Sequence, residues 1–265
     1  MIIARWVLYV SALGVIGAFG ATLLSFPAHP RVIAVGRRTP LLLLLGVFLL
    51  VTAQLENWFG VDGLTDPENI KTMLTITLWG QHWSWLAGVA LTAAIALPVA
   101  ARFPRAWIFV AGTAAFSMVV VVPLVGHGGT HDAWLLLAHR VHLFGAGLWI
   151  GSLAVALLSG LGNTDELLAR LRHFAPFALT GAALIAASGA VLSYWHIQPL
   201  SRILSTEYGR ILLGKVAGAL VVAALGFVNW RGPRVKIVVA EVVIALVVVL
   251  ALTAWVSEVE MPMRH

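Results

Sequence analysis

The 265-residue sequence contains no cysteine. That absence removes disulfides, thiolate metal sites and redox dithiols together, leaving imidazole, thioether and carboxylate as side-chain ligands. Charge is the second scarcity. Only 11% of residues are Asp, Glu, Lys or Arg, where a soluble domain carries roughly a quarter. Acidic residues are scarcest, 11 against 17 Lys and Arg, so the formal net charge is +6. The cations sit in short segments between apolar runs, where they set membrane orientation and do not form a nucleic-acid patch. No nucleic-acid partner is expected.

What is abundant is apolar surface: 60% of residues are hydrophobic. No soluble core hides that much, so the lipid bilayer must be the solvent. A spanning helix needs roughly 20 apolar residues, and the sequence offers eight such stretches, at 6–26, 39–55, 72–101, 106–125, 133–161, 174–196, 209–230 and 235–257. The expected fold class is all-α, a polytopic membrane helix bundle with about eight transmembrane helices. The first run is too long for the core of a signal peptide and is expected to stay as the first helix. Pro27, Pro30, Asp62-Gly63, Asp66-Pro67, Pro104, Gly126 to Gly129, Pro199 and Gly232-Pro233 punctuate the runs. Pro98, Pro123 and Pro176 lie inside helices or at their edges, where kinks are expected.

Counting Lys and Arg by alternate loops sets the orientation. One side holds Arg31, Arg37, Arg38, Arg102, Arg105, Arg170, Arg172, Arg231, Arg234 and Lys236; the other holds Arg5, Lys71, Arg202, Arg210 and Arg264. The richer side is cytoplasmic by the positive-inside rule, which predicts both termini in the periplasm of a bacterial inner (cytoplasmic) membrane. Thr77-Leu-Trp-Gly80 echoes Thr206-Glu-Tyr-Gly209, each opening an odd-numbered span. The echo suggests a 4+4 duplication within one transmembrane domain, residues 1–125 forming a first four-helix half and 126–265 a second.

Nine histidines are many for so apolar a chain, and most fall toward the predicted outer side. The densest group is Gly126-His127-Gly-Gly-Thr-His131-Asp132, then His139-Arg140-Val-His142. His139 and His142 are three apart, so they share a helix face. A short Gly-rich turn returns His127 against the start of the fifth span. This construction can gather several imidazoles, good ligands for copper, zinc, iron and nickel. The candidate metal ligands are His127, His142, His139, His131 and His82, the last set among Trp79, Trp83 and Trp85. His196 reads as an interfacial polar residue. The tail offers a secondary soft site in Met261, Met263 and His265, and Met118, Glu241 and Asn229 mark a candidate transport path. Glu241, inside the eighth span, is a functional candidate because an ionisable group in a membrane is expensive.

The second half resembles the copper resistance protein D (CopD) family. The likeness rests on Gly126-His127-Gly, on His142-Leu-Phe-Gly-Ala-Gly-Leu-Trp149-Ile-Gly151-Ser-Leu and on Arg172-His-Phe-Ala-Pro-Phe-Ala-Leu. It continues through Ser188-Gly189, Thr206-Glu-Tyr-Gly209-Arg-Ile-Leu-Leu-Gly-Lys215, Asn229 and Glu241. It covers roughly 120–250; the first half fits by general layout, best at Thr77 to Gly80. The resemblance implies a non-enzymatic membrane permease that takes copper from the periplasm toward the cytoplasm. It favours His127 and His142 as ligands and implies a separate CopC-like periplasmic copper carrier as partner. Two alternatives stand beside it: a haem b cytochrome with axial histidines (His82 with His142, or His139 with His196), and a membrane copper chaperone for enzyme assembly.

Overall fold

Among the described residues, eight helices are long and apolar enough to cross a membrane. The computed structural model describes residues 1–25, 29–126, 132–160, 164–197 and 200–259, and among these there is no β-strand. The spans are α1 (Ile2–Leu24), α2 with α3 (Pro30–Gly36, Thr39–Phe59), α5 (Leu78–Ala100) and α6 (Pro104–Val121) with a 3₁₀ turn at Val122–Val125. They continue with α7 and α8 (Ala133–Ala146, Ser152–Gly160), α10 (Ala175–His196), α11 (Glu207–Arg231), and α12 with α13 (Val235–Val243, Leu250–Val256). Side chains such as Phe109, Phe116, Ile95 and Leu220 are left exposed, as lipid-facing positions must be.

The differences from sequence expectation have local causes. The second span begins at Pro30, because His29 caps the short α2 and Pro30 supplies its first turn. The long third stretch is two helices. Asp66 caps α4 (Pro67–Ile76), and Thr77 breaks the backbone into an extended conformation before α5 begins. Pro98 lies inside α5, whereas Pro123 ends α6 in the 3₁₀ turn and Pro176 starts α10. A short helix, α9 (Thr164–Arg172), follows the fifth span.

The Thr-x-x-Gly echo is the same device twice. Thr77 Oγ1 accepts from Gly80 N–H at 2.9 Å, and Thr206 Oγ1 from Gly209 N–H at 3.1 Å. A Cβ on Gly80 would lie 2.0 Å from Met73 O, and one on Gly209 2.1 Å from Ile203 O. In both places the cap turns the incoming chain onto the first helical turn, and only glycine leaves room. Thr206→Ala is expected to cost about 1 kcal/mol of stability, the ordinary worth of such a cap, with Thr206→Ser close to neutral; thermal unfolding in detergent measures both.

Spans one to four pack around one apolar core and spans five to eight around a second. The first and fifth spans are the most enclosed, and they meet along glycines. A Cβ on Gly17 would lie 2.1 Å from Gly151 C, and one on Gly151 2.2 Å from Leu13 O. Such close backbone approach is how membrane helices associate when lipid supplies no hydrophobic drive. The first span also meets the eighth through polar ties. Arg5 pairs with Glu258, Trp6 Nε1 donates to Leu246 O at 2.7 Å, and the Tyr9 and Ser257 hydroxyls lie 3.4 Å apart.

Candidate metal centre

Arg5, Glu258, the 3₁₀ turn after α6 and the start of α7 lie at one end of the bundle, here called the histidine end. The 3₁₀ turn at Val122–Val125 and the helix end before it are held by side chains from three spans, the first, third and fifth. Arg140 donates through Nε and Nη2 to Val120 O at 3.3 and 3.2 Å. His82 Nδ1 lies 3.2 Å from Leu124 O, and Trp79 Nε1 and Arg5 Nη1 reach Val125 O at 3.2 and 3.4 Å. A proline in the sixth helix withdraws a backbone donor, and these side chains satisfy carbonyls near it. The result is a fixed departure point for the segment that carries His127 and His131, two candidate ligands that lie outside the described residues.

Three other histidines are held at the same end. His142 Nδ1 lies 3.1 Å from Ser188 Oγ. The serine's only proton goes to Leu184 O at 2.5 Å, so its oxygen accepts from His142 Nδ1–H. Gly189 makes room for that ring: a Cβ there would stand 3.3 Å from His142 Cε1. His196, 7% exposed, donates from Nδ1 to Leu192 O at 2.7 Å. A carbonyl can only accept, so Nδ1 carries the proton in His82 and His196 alike. In each neutral ring Nε2 is then the basic nitrogen. A hydrogen bond from the second ring nitrogen to an oxygen is the usual support of a metal-binding histidine.

The rings of His139 and His196 stand 5.7 Å apart by centroid, tilted by 55°, and His196 lies 6.3 Å from the ring of Tyr208. Two imidazoles sharing one ion at about 2.0 Å per nitrogen have ring centres roughly 5–6 Å apart. The pair therefore has the spacing of a two-histidine ligand set, with His142 one helical turn from His139 and in electrostatic range of both His139 and Lys215. Among the described residues no three His, Asp or Glu side chains gather as a metal group. His82 stands apart from this pair, its ring 5.7 Å from that of Trp85.

The remaining sequence candidates divide. Met118 is fully buried in the first apolar core. Met261, Met263 and His265 lie outside the described residues. Glu241 and Asn229 do meet: Asn229 Nδ2 donates to Glu241 Oε2 at 2.7 Å, and Trp149 Nε1 donates to Oε1 at 2.9 Å. Burying an ionised carboxylate costs several kcal/mol after relaxation. Two hydrogen bonds to a charged group return about 1.5–3 kcal/mol each, so the opposing contributions are of similar size. His196 is left out of the copper ligand set by sequence reasoning, which offers it only as an axial haem partner of His139 and otherwise as an interfacial polar residue. The reason is physical: a histidine at the end of an apolar run looks the same whether its helix face turns to lipid or to a neighbour. Its position at the depth of His139, across from the fifth span, is the signal that was available.

The family model described as "Copper resistance protein D-like, N-terminal domain" matches residues 1–138, just over half of the chain. The chain belongs to the copper resistance protein D-like family. This match falls on the half in which sequence motifs are sparsest. Among curated relatives, "Copper transport protein CutJ" of Bacillus subtilis (strain 168) is 28% identical over 208 residues, covering 72% of this chain and 38% of that protein. "Copper resistance protein D" of Pseudomonas syringae pv. tomato is 27% identical over 159 residues, covering 56% of this chain and 51% of that protein. The chain thus spans about two-fifths to one half of the length of these relatives. No solved structure matches it.

Proposed function

We propose that this protein binds copper as cargo at its histidine end and passes it across a bacterial inner membrane, from periplasm to cytoplasm. It is not an enzyme in this reading. The observation that carries it is the ring pair of His139 and His196, 5.7 Å apart, with His142 one turn away and oriented by Ser188. Without a thiol in the chain, imidazole and thioether are the groups suited to copper. The arginine-rich opposite end, holding Arg231, Arg234 and Lys236, is the cytoplasmic one by the positive-inside rule. His127 and His131, next in the chain after the clamped turn, would join from the segment above, and the Met261, Met263 and His265 tail would serve as a first contact. The names of the two relatives, a copper transport protein and a copper resistance protein, fit the same cargo. A separate CopC-like carrier would deliver it.

The test is copper content of the purified full chain, followed by uptake into proteoliposomes. Wild-type protein is expected to hold copper and to accelerate its entry. His127→Ala and His142→Ala are expected to hold less, and Ser188→Ala to weaken affinity by roughly 10–100-fold, as loss of a ligand-supporting hydrogen bond does. A loaded site without flux would replace the permease with a membrane copper chaperone; protein that takes up no copper would remove the proposal.

A further inference from the structure

Away from the histidine end, in the other half of the second four-helix group, Glu241 is 2% exposed. We propose that Glu241 is a proton-binding site that exchanges with water at the arginine-rich end of the bundle by way of Asn229. The inference is independent of the copper reading, since it concerns a different set of residues.

Each carboxylate oxygen meets one neutral donor, Trp149 Nε1 at 2.9 Å and Asn229 Nδ2 at 2.7 Å. Gly226 leaves space for the carboxylate: a Cβ there would stand 3.1 Å from Oε1. Among the described residues no charged or titratable side chain on the packed elements is bonded to Glu241. On the seventh span Lys215 is about 21 Å along the axis from Asn229, Glu207, Tyr208 and Arg210 are farther still, and Arg231 lies over the Phe227 ring at 4.9 Å. On the fifth span His139, Arg140 and His142 occupy the opposite end. Lys236 precedes Glu241 by more than one turn, Asp165 lies in the first turn of α9, and His173 follows its end. Among the described residues none of these cations forms an ion pair with Glu241, whose bonded partners are Trp149 and Asn229. Among the described residues no group of three His, Asp or Glu side chains gathers there either. A buried carboxyl with neutral partners alone is suited to a proton and not to a metal ion.

Asn229 supplies the exchange route. It is half-exposed, and its Oδ1 accepts from the backbone N–H of exposed Arg234 at 3.5 Å. Its amide can serve both states of the acid. It donates through Nδ2 to the ionised carboxylate, and after a half-turn it accepts through Oδ1 from the protonated acid. The proton comes from water and returns to water, leaving Asn229 unchanged. Trp149 can only donate, so it stays on Oε1 in both states. Both flanking helices carry π-helical turns, at Gly147–Gly151 around Trp149 and at Ile244–Val249 just beyond Glu241. Such turns occur frequently at functional sites in helices.

The experiment is infrared difference spectroscopy of the full chain in lipid nanodiscs, stepped through pH without copper. The wild type is expected to show a carboxylic-acid carbonyl band that appears on acidification, and Glu241→Gln to lack it. Trp149→Phe, which keeps the ring's shape and removes its donor, is expected to move the midpoint by about one pH unit or more. The same titrating band in Glu241→Gln, or a midpoint indifferent to Trp149→Phe, would overturn the proposal. Because no metal is present, the outcome stands whether or not the histidine end binds copper.

Discussion

Gly151→Val is expected to leave little folded protein, with most of the chain lost to aggregation on detergent extraction. The site is the crossing of the first and fifth spans, where the two four-helix groups meet. A Cβ on residue 151 would sit 2.2 Å from Leu13 O and 3.0 Å from Leu13 C, both backbone atoms of the facing helix. A flexible side chain can swing aside; a helix backbone cannot. The neighbours leave no escape either, since a Cβ on Gly17 would meet Gly151 C at 2.1 Å and one on Gly147 would meet Ile16 Cγ2 at 2.3 Å. Overpacking a core costs about 1–3 kcal/mol when side chains can adjust. Here two whole spans must separate, so the cost exceeds that range. Gly88→Ala is the matched control, because a Cβ there meets nothing within 4 Å. It is expected to be neutral or to stabilise by up to about 1 kcal/mol, the gain in helix propensity. Gel filtration and thermal unfolding of both variants give the comparison. A well-folded Gly151→Val protein with an unchanged midpoint would mean that the two halves do not meet in this way.

The second large effect is expected at the histidine end. Replacing His139 and His196 together by alanine is predicted to lower copper affinity by at least about 100-fold, more than a single loss of the support given by Ser188. The two single variants are predicted to sum to more than the double, because residues that ligate one ion are strongly coupled. His29→Ala, at the opposite end of the bundle where His29 caps α2, should leave copper binding unchanged. Isothermal titration with copper on all four proteins decides it. Additive single effects would show that the two rings do not share an ion.

The spans were the most legible part of the molecule, because in lipid every backbone group must be satisfied within its own helix, and a long apolar run has one available structure. The Thr-x-x-Gly echo at Thr77 and Thr206 was legible as the opening of a span, but its capping hydrogen bonds appear only in the structure. The site was legible only in part. Glu241 and Asn229 stood out as polar residues in apolar surroundings, and their meeting follows from a short connection between two adjacent spans. Trp149 did not stand out as the other partner of Glu241, since eleven tryptophans give no hint of which indole turns inward. The same holds for Ser188 and His142, on different spans. Sequence gives depth along a helix readily, but rotation about its axis depends on packing. That packing is set by glycine contacts such as Gly17 with Gly151, whose consequence appears only when both helices are in place.

The most direct measurement of the central claim is X-ray absorption at the copper edge on the loaded full chain. The structure predicts a first shell dominated by nitrogen, with the outer-shell scattering of at least two imidazole rings, both lost in the His139→Ala, His196→Ala double variant. A sulfur-dominated shell, or an imidazole signal untouched by that double substitution, would contradict it.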